Sequence, residues 1–272
     1  MTAHIGQCGL CLKTKELQDS HLMPKSLYKR VRGAARDLVM VTRSGSFPTS
    51  KQVASPLLCC QCEQRFHKYG EDYVMSQCDQ LNGRFKLREL LQAASLLYNT
   101  PQGKAYDVHP LLGNKIEQYL YFAASIFWRA SAHHWRTGRD WLDPILLGPT
   151  YQEQLRLYLL NEAAFPSHAR VWVFVISEAV QPRMIYPPST RIDGVGQHDF
   201  YILGIHFALV FNELAPQEFD GGALNGRQQQ IMWLTSWMDD PVFIGAWELR
   251  NASPPSEKLR KRAFSPQDRG SA

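Results

Sequence analysis

The sequence predicts an α+β protein, with a small zinc-binding module at the N-terminus and a larger mixed α/β domain after it. The larger part reads as several helices with an antiparallel or mixed sheet. Three observations lead there. Four of the six cysteines fall in two Cys-x-x-Cys pairs before residue 63. Apolar residues recur at helical spacing over 85–98, 114–135 and 151–162. Runs of β-branched and aromatic residues at 169–177 and 199–211 read as buried strands.

Taken in order, residues 1–12 form a first knuckle and 13–23 run extended into His21. Pro24 can open a helix as its first residue. Lys25 to Ala35 then continues it, with Leu27, Tyr28 and Val31 as its apolar side. Asp37 to Thr42 reads as a strand, Arg43-Ser-Gly-Ser-Phe-Pro as a turn, and Val53 to Leu58 as a strand delivering Cys59. A helix over 63–74 puts Phe66, Tyr69 and Tyr73 on one side and Glu63, His67 and Glu71 on another. Farther on, Arg183 to Tyr186 reads as a short strand closed by Pro187-Pro188. Residues 231–237 and 242–247 are short apolar segments, and 251–272, rich in Pro, Ser and charge, are expected to be disordered. The expected division is 1–78, 79–250 and 251–272. No Gly/Ser linker marks residue 80, so the first two parts are expected to pack as one body.

A hydrophobic content of 44% with 20% charged residues is that of a chain able to bury a core. No apolar run reaches the roughly 18 residues of a membrane span, so no membrane partner is expected. The N-terminus shows no basic stretch followed by an apolar one, so no signal peptide is read there. Cysteines spaced for metal fit a reduced compartment better than a disulfide framework, which points to the cytoplasm. The net charge of +5 is unevenly spread. Lys25, Lys29, Arg30, Arg32, Arg36 and Arg43 follow His21, and Lys258, Arg260, Lys261 and Arg262 cluster near the end. Such a stretch suits a phosphate backbone, or else it is a solvated helix face.

The chemistry concentrates in residues 8–74. Each Cys-x-x-Cys pair can put two thiolates on one ion, and Cys8, Cys11, Cys59 and Cys62 together complete a tetrahedral structural zinc site. Cys60, next to two ligands, could exchange with one of them. Between the pairs lies Asp19-Ser-His-Leu-Met-Pro24. Cys8/Cys11, His21-Leu-Met-Pro24, Leu57-Leu58-Cys59-x-x-Cys62 and a helix opening at the last cysteine together resemble the HNH endonuclease family. That family is built on a ββα-metal core, often in a zinc-bound treble clef. The resemblance covers about a quarter of the chain. It implies hydrolysis of a phosphodiester, with His21 as the general base that activates water. It also implies one divalent ion, Mg or Mn, with Glu63 and His67 at the helix positions that supply ligands. Ser20 stands where the family usually carries Asp or His, and Glu63 where His or Asn is usual. Lys25, Lys29, Arg30, Arg32 and Arg36 would grip the nucleic acid. The resemblance says nothing of residues 79–250, which are expected to recognise a protein partner, regulate cutting or mediate assembly. Stand-alone proteins of this kind resemble parts of phage-defence or mobile-element systems. The rival expectations are a nuclease-derived protein that binds nucleic acid without cutting it, and a catalytically inactive zinc scaffold or interaction subunit of a larger complex. Elsewhere, His206 reads as a satisfied core histidine, and His198 beside Asp199 as a dyad only by adjacency.

Overall fold

The computed structural model describes residues 4–33, 38–42, 45–137, 140–142, 145, 147–179, 183–190, 196–211, 221–226 and 228–263. The N-terminal part is a hairpin, β1 (His4–Gln7) and β2 (Thr14–His21), whose second strand pairs antiparallel with β5 (Ala54–Cys59). Helix α1 (Lys25–Arg32) follows His21, and a hairpin of β3 (Leu38–Thr42) and β4 (Gly45–Thr49) fills the interval before β5. Helix α2 (Cys60–Phe66) starts directly from β5. It passes through a single π turn, His67–Glu71, into α3 (Asp72–Gln77).

The larger part is built on a seven-stranded mixed sheet. Its strands are β6 (Leu96–Thr100), β7 (Gly103–Asp107), β10 (Ala169–Ile176), β11 (Ile185–Thr190), β12 (Gln197–Ile202), β13 (Ile205–Phe211) and β14 (Ile231–Thr235), in the order β11-β12-β13-β10-β14-β7-β6. The two-residue strands β8 (Arg136–Thr137) and β9 (Asp140–Trp141) form a separate small hairpin. Only β10 and β14 run parallel. Helices α4 (Lys86–Gln92), α5 (His109–Leu112), α6 (Ile116–Ala132), α7 (Gly148–Leu160), α8 (Pro241–Ala252) and α9 (Glu257–Ala263), with a 3-10 turn at Gly113–Lys115, complete the described elements. Among the described residues, no helix is long and apolar enough to cross a membrane.

Helix α6 joins the two parts. It is buried on nearly every side, from Ile116 to Ala130, as expected of a helix with no polar face. Phe122 and Phe127 meet Phe200 and Phe207 of the sheet, while Tyr121 and Trp128 close edge-on around Phe66 of α2. One hydrophobic core therefore runs from Cys8 through α6 to Leu234, across the boundary drawn at residue 78.

The α+β class and the mixed sheet match the expectation, and several elements differ in detail. The amphipathic reading of 85–98 breaks into α4 and the strand β6, because Leu96 and Tyr98 pair with β7 at the sheet edge. The single strand expected over 199–211 is a hairpin. Leu203 and Gly204 both take positive φ, which makes the two-residue turn whose twist suits paired strands. The strand at 183–186 instead runs on through Pro187 and Pro188, with a bulge between Tyr186 and Ser189. That is tolerated on an edge strand, where no outward N–H is needed. Residues 242–247 lie in α8, whose N-cap Asp240 accepts hydrogen bonds from the N–H groups of Val242 and Phe243. Disorder over 251–263 is overturned. Ser253 Oγ donates to Thr42 O, the N–H groups of Ser46 and Ser256 donate to Pro254 O and Ser46 O, and α9 lies against β4. Residues 264–272 lie outside the described residues.

Candidate metal centre and the histidine beside it

The β1–β2 hairpin turns through Cys8-Gly-Leu-Cys11. Lys13 O accepts from the Cys8 N–H at 3.0 Å, and Cys8 O accepts from the Leu12 N–H at 2.9 Å. The Gly9 N–H donates to Leu57 O at 2.9 Å and so hangs this knuckle on β5. Strand β5 delivers Cys59, and the first turn of α2 delivers Cys62. The Cys59 N–H donates to Cys8 Sγ at 3.3 Å, and Cys11 Sγ lies 4.0 Å from Cys59 Sγ. All four sulfurs lie within 4.8 Å of one another. Tetrahedral zinc with bonds of about 2.3 Å needs sulfurs roughly 3.8 Å apart, so the quartet can hold such an ion with small adjustments. Cys8, Cys59 and Cys62 are buried, which closes the site to substrate and marks it as structural. A hydrogen bond shared with Cys62 holds the Cys8 thiol down at about 4 and pushes the Cys62 thiol up, and burial raises Cys59. Cys60 is exposed and stands outside the quartet, accepting from Gln64 Nε2 at 3.4 Å. Cys78 is buried, which raises its thiol to about 12.

The same β2–β5 pair places His21 at its end, opposite Ala54. A bulge lies two residues before it, between Gln18 and Asp19. There the buried Ser20 Oγ accepts the Leu58 N–H at 2.9 Å and donates to Gln18 O at 3.4 Å. Ser20 is thus committed to stitching β2 to β5, and Asp19 is exposed. His21 is half-buried. Burial first, then the charge of Lys25, holds its imidazole below the ordinary value; Glu63 and Gln52 pull the other way, and Arg129 lowers it further. The result favours the neutral ring. Among the described residues, Glu63 Oε1 and Gln52 Oε1 are buried with no hydrogen-bond partner. Such oxygens are where a cation or a bound water is at home.

His67 begins the π turn and is exposed. Among the described residues, the four cysteines are the only group of three or more His, Cys, Asp or Glu ligand atoms that come this close together. His21, Glu63 and His67 are thus not brought together as a ligand cluster; the link between them is the charge of Glu63, which acts on His21. Of the basic residues, Lys25, Lys29 and Arg32 are exposed on α1. Arg30 turns inward, and its Nη1 donates to Met75 O at the end of α3. Arg36 lies outside the described residues. Helix α9, carrying the exposed Lys258, Arg260 and Lys261, rests on the β3–β4 hairpin between His21 and Cys59.

Sequence reasoning placed Glu71 on the side of Glu63 and His67 without giving it a role, and it missed Gln52 and Arg129. Arg129 left a signal, being the one charge in the apolar turns of a helix that is otherwise core; a buried Arg demands partners. Gln52 left none. Two further histidines, His206 and His198, are internal. His206 is 1% exposed and bridges Asp199 Oδ1 and Asp240 Oδ2 at 2.8 Å each. Burial lowers His198 to about 4, and its Nδ1 meets Thr190 Oγ1 at 2.9 Å. Both confirm a structural use.

No family model matches the chain, and neither a curated protein nor a solved structure does. The four-cysteine cluster stands on its geometry alone.

Proposed function

We propose that the protein is an HNH-like, metal-dependent endonuclease, with a structural zinc on Cys8, Cys11, Cys59 and Cys62 and with His21 as general base. The observation that carries this reading is the position of His21. It ends the strand that pairs with the strand delivering Cys59, it is biased toward the neutral ring, and it feels the charge of Glu63, whose buried Oε1 has no partner among the described residues. A neutral imidazole near physiological pH can take the proton of an attacking water. Glu63 would hold a divalent ion such as Mg or Mn, and His67 would reach it from the next helical turn. When bound, that ion would neutralise charge developing on the phosphate. Lys25, Lys29 and Arg32 present three positive charges immediately after His21, suited to a nucleic-acid backbone. We place the protein in the cytoplasm, in a phage-defence or mobile-element setting. Divalent-ion-dependent cleavage of DNA or RNA, lost in His21→Ala with zinc content unchanged, tests the reading.

A second reading, an inactive zinc scaffold that binds a protein partner through residues 79–250, is favoured by Ser20. Its hydroxyl is spent within the β2–β5 pair, and the family's strand ligand is thereby missing. Metal content separates the two. One tightly held zinc per chain with no second, exchangeable ion supports the scaffold.

A further inference from the structure

Arg129 sits on α6, more than a hundred residues from His21 in the chain, yet its Nη1 donates to the His21 carbonyl at 2.7 Å. Its side chain is 1% exposed. Nη2 pairs with the Glu71 carboxylate and lies 3.5 Å from Ser125 Oγ. The guanidinium also lies over the Phe66 ring, 4.9 Å from its centroid. The α6 chain end folds back onto the same residue, because Trp135 Nε1 donates to Arg129 O at 2.9 Å. Glu71 reaches Arg129 from the π turn, and such turns inside α-helices recur at functional sites. One planar fork thus ties the end of β2, the helix leaving the cysteine quartet and the central helix of the larger part.

We propose that Arg129, anchored by Glu71, is the positioning residue for His21, so that the larger part of the chain completes the histidine site. A guanidinium holds a fixed donor geometry that an ammonium cannot copy. A carbonyl held at 2.7 Å fixes the backbone from which the imidazole is aimed. The catalytic meaning of this rests on the endonuclease reading; the positioning itself does not.

The experiment uses the full zinc-loaded chain. The His21 imidazole and carbonyl resonances, assigned by their loss in His21→Gln, are compared in wild type, Arg129→Met, Arg129→Lys and Glu71→Gln. Zinc content and circular dichroism establish folding in each. The expected result is a displaced or broadened His21 signal in Arg129→Met, a partial return in Arg129→Lys, and a smaller displacement in Glu71→Gln. Unchanged His21 signals in folded Arg129→Met overturn the proposal. If that variant does not fold, unchanged signals in Glu71→Gln overturn it. Where wild type cleaves nucleic acid, kcat should fall at least about tenfold in Arg129→Met with KM within about twofold, since misaiming costs rate rather than binding. A KM rise with kcat intact also overturns it. A wild-type protein that does not cleave sinks the endonuclease reading and leaves the resonance comparison to decide the role of Arg129.

Discussion

Gly70, in the π turn after α2, faces the backbone of Phe122 in α6: a Cβ on Gly70 would stand 2.9 Å from both the N and the Cα of Phe122. The π turn leaving α2 and the central helix α6 therefore touch backbone to backbone, one residue before Glu71 reaches Arg129. Gly70→Ala is expected to destabilise the protein by about 1–3 kcal/mol, because the obstructing atoms are main chain and cannot rotate away. Denaturant midpoints check this against Gly221→Ala, where nothing lies within 4 Å of the added carbon. Equal midpoints for the two variants would show that the helices can part without cost.

The cysteines make a second prediction. Purified protein should carry one zinc per chain. Cys62→Ser should lose it and melt at lower temperature, because binding to such a site is folding free energy. Cys60→Ser should keep it, since Cys60 is exposed and outside the quartet. Elemental analysis with thermal melts decides the matter, and zinc loss in Cys60→Ser would mean that ligands exchange.

The basic helix α1 makes a third. Reversing Lys25, Lys29 and Arg32 to Glu should weaken nucleic-acid binding at every sequence and flatten its dependence on salt by about one unit of slope per lost phosphate contact. Arg30→Ala should act differently. Its guanidinium holds the Met75 carbonyl, so the expected loss is stability rather than salt dependence. Titrations at several salt concentrations, alongside melts, separate the two.

The buried histidine of the sheet makes a fourth, about pH. Burial alone would depress His206, but the charges and hydrogen bonds of Asp240 and Asp199 raise it to about 9. Burial likewise pushes Asp240 up, and the His206 charge and hydrogen bonds bring it below the ordinary carboxylate value. A folded value above the unfolded one of about 6.5 stabilises the protein fully below that pH, and the contribution disappears as pH rises through about 9. In His206→Gln two carboxylates are left facing each other, at a cost of about 3–5 kcal/mol near neutrality. The stability gap between wild type and His206→Gln should narrow between pH 7 and 10. A gap constant over that range would contradict the charge assignment.

What the sequence made legible follows from range. Cys-x-x-Cys spacing is a local signal, and the quartet forms as expected. The apolar period of α6 is also local, and the helix runs over Ile116–Ala132 within the expected 114–135. Short apolar runs carried no such information. Residues 242–247 form part of a helix because Asp240 caps it, whereas Leu96 to Tyr98 form a strand because β7 is there to pair. The surroundings of His21 were the least legible. Arg129 arrives from 108 residues away, and Ser20 is taken by a hydrogen bond that exists only after β2 and β5 have paired. Both depend on tertiary packing, which no spacing within either segment encodes.

The most direct test of the central claim is cleavage of supercoiled plasmid and of single-stranded DNA and RNA by the zinc-loaded chain, with Mg or Mn added or removed. Wild type and His21→Ala would be compared at matched zinc content. Cutting that needs the added ion and falls at least about a hundredfold in His21→Ala, within the range for losing a general base, is the predicted result. No cutting of any substrate by wild type, or equal cutting by His21→Ala, would contradict it.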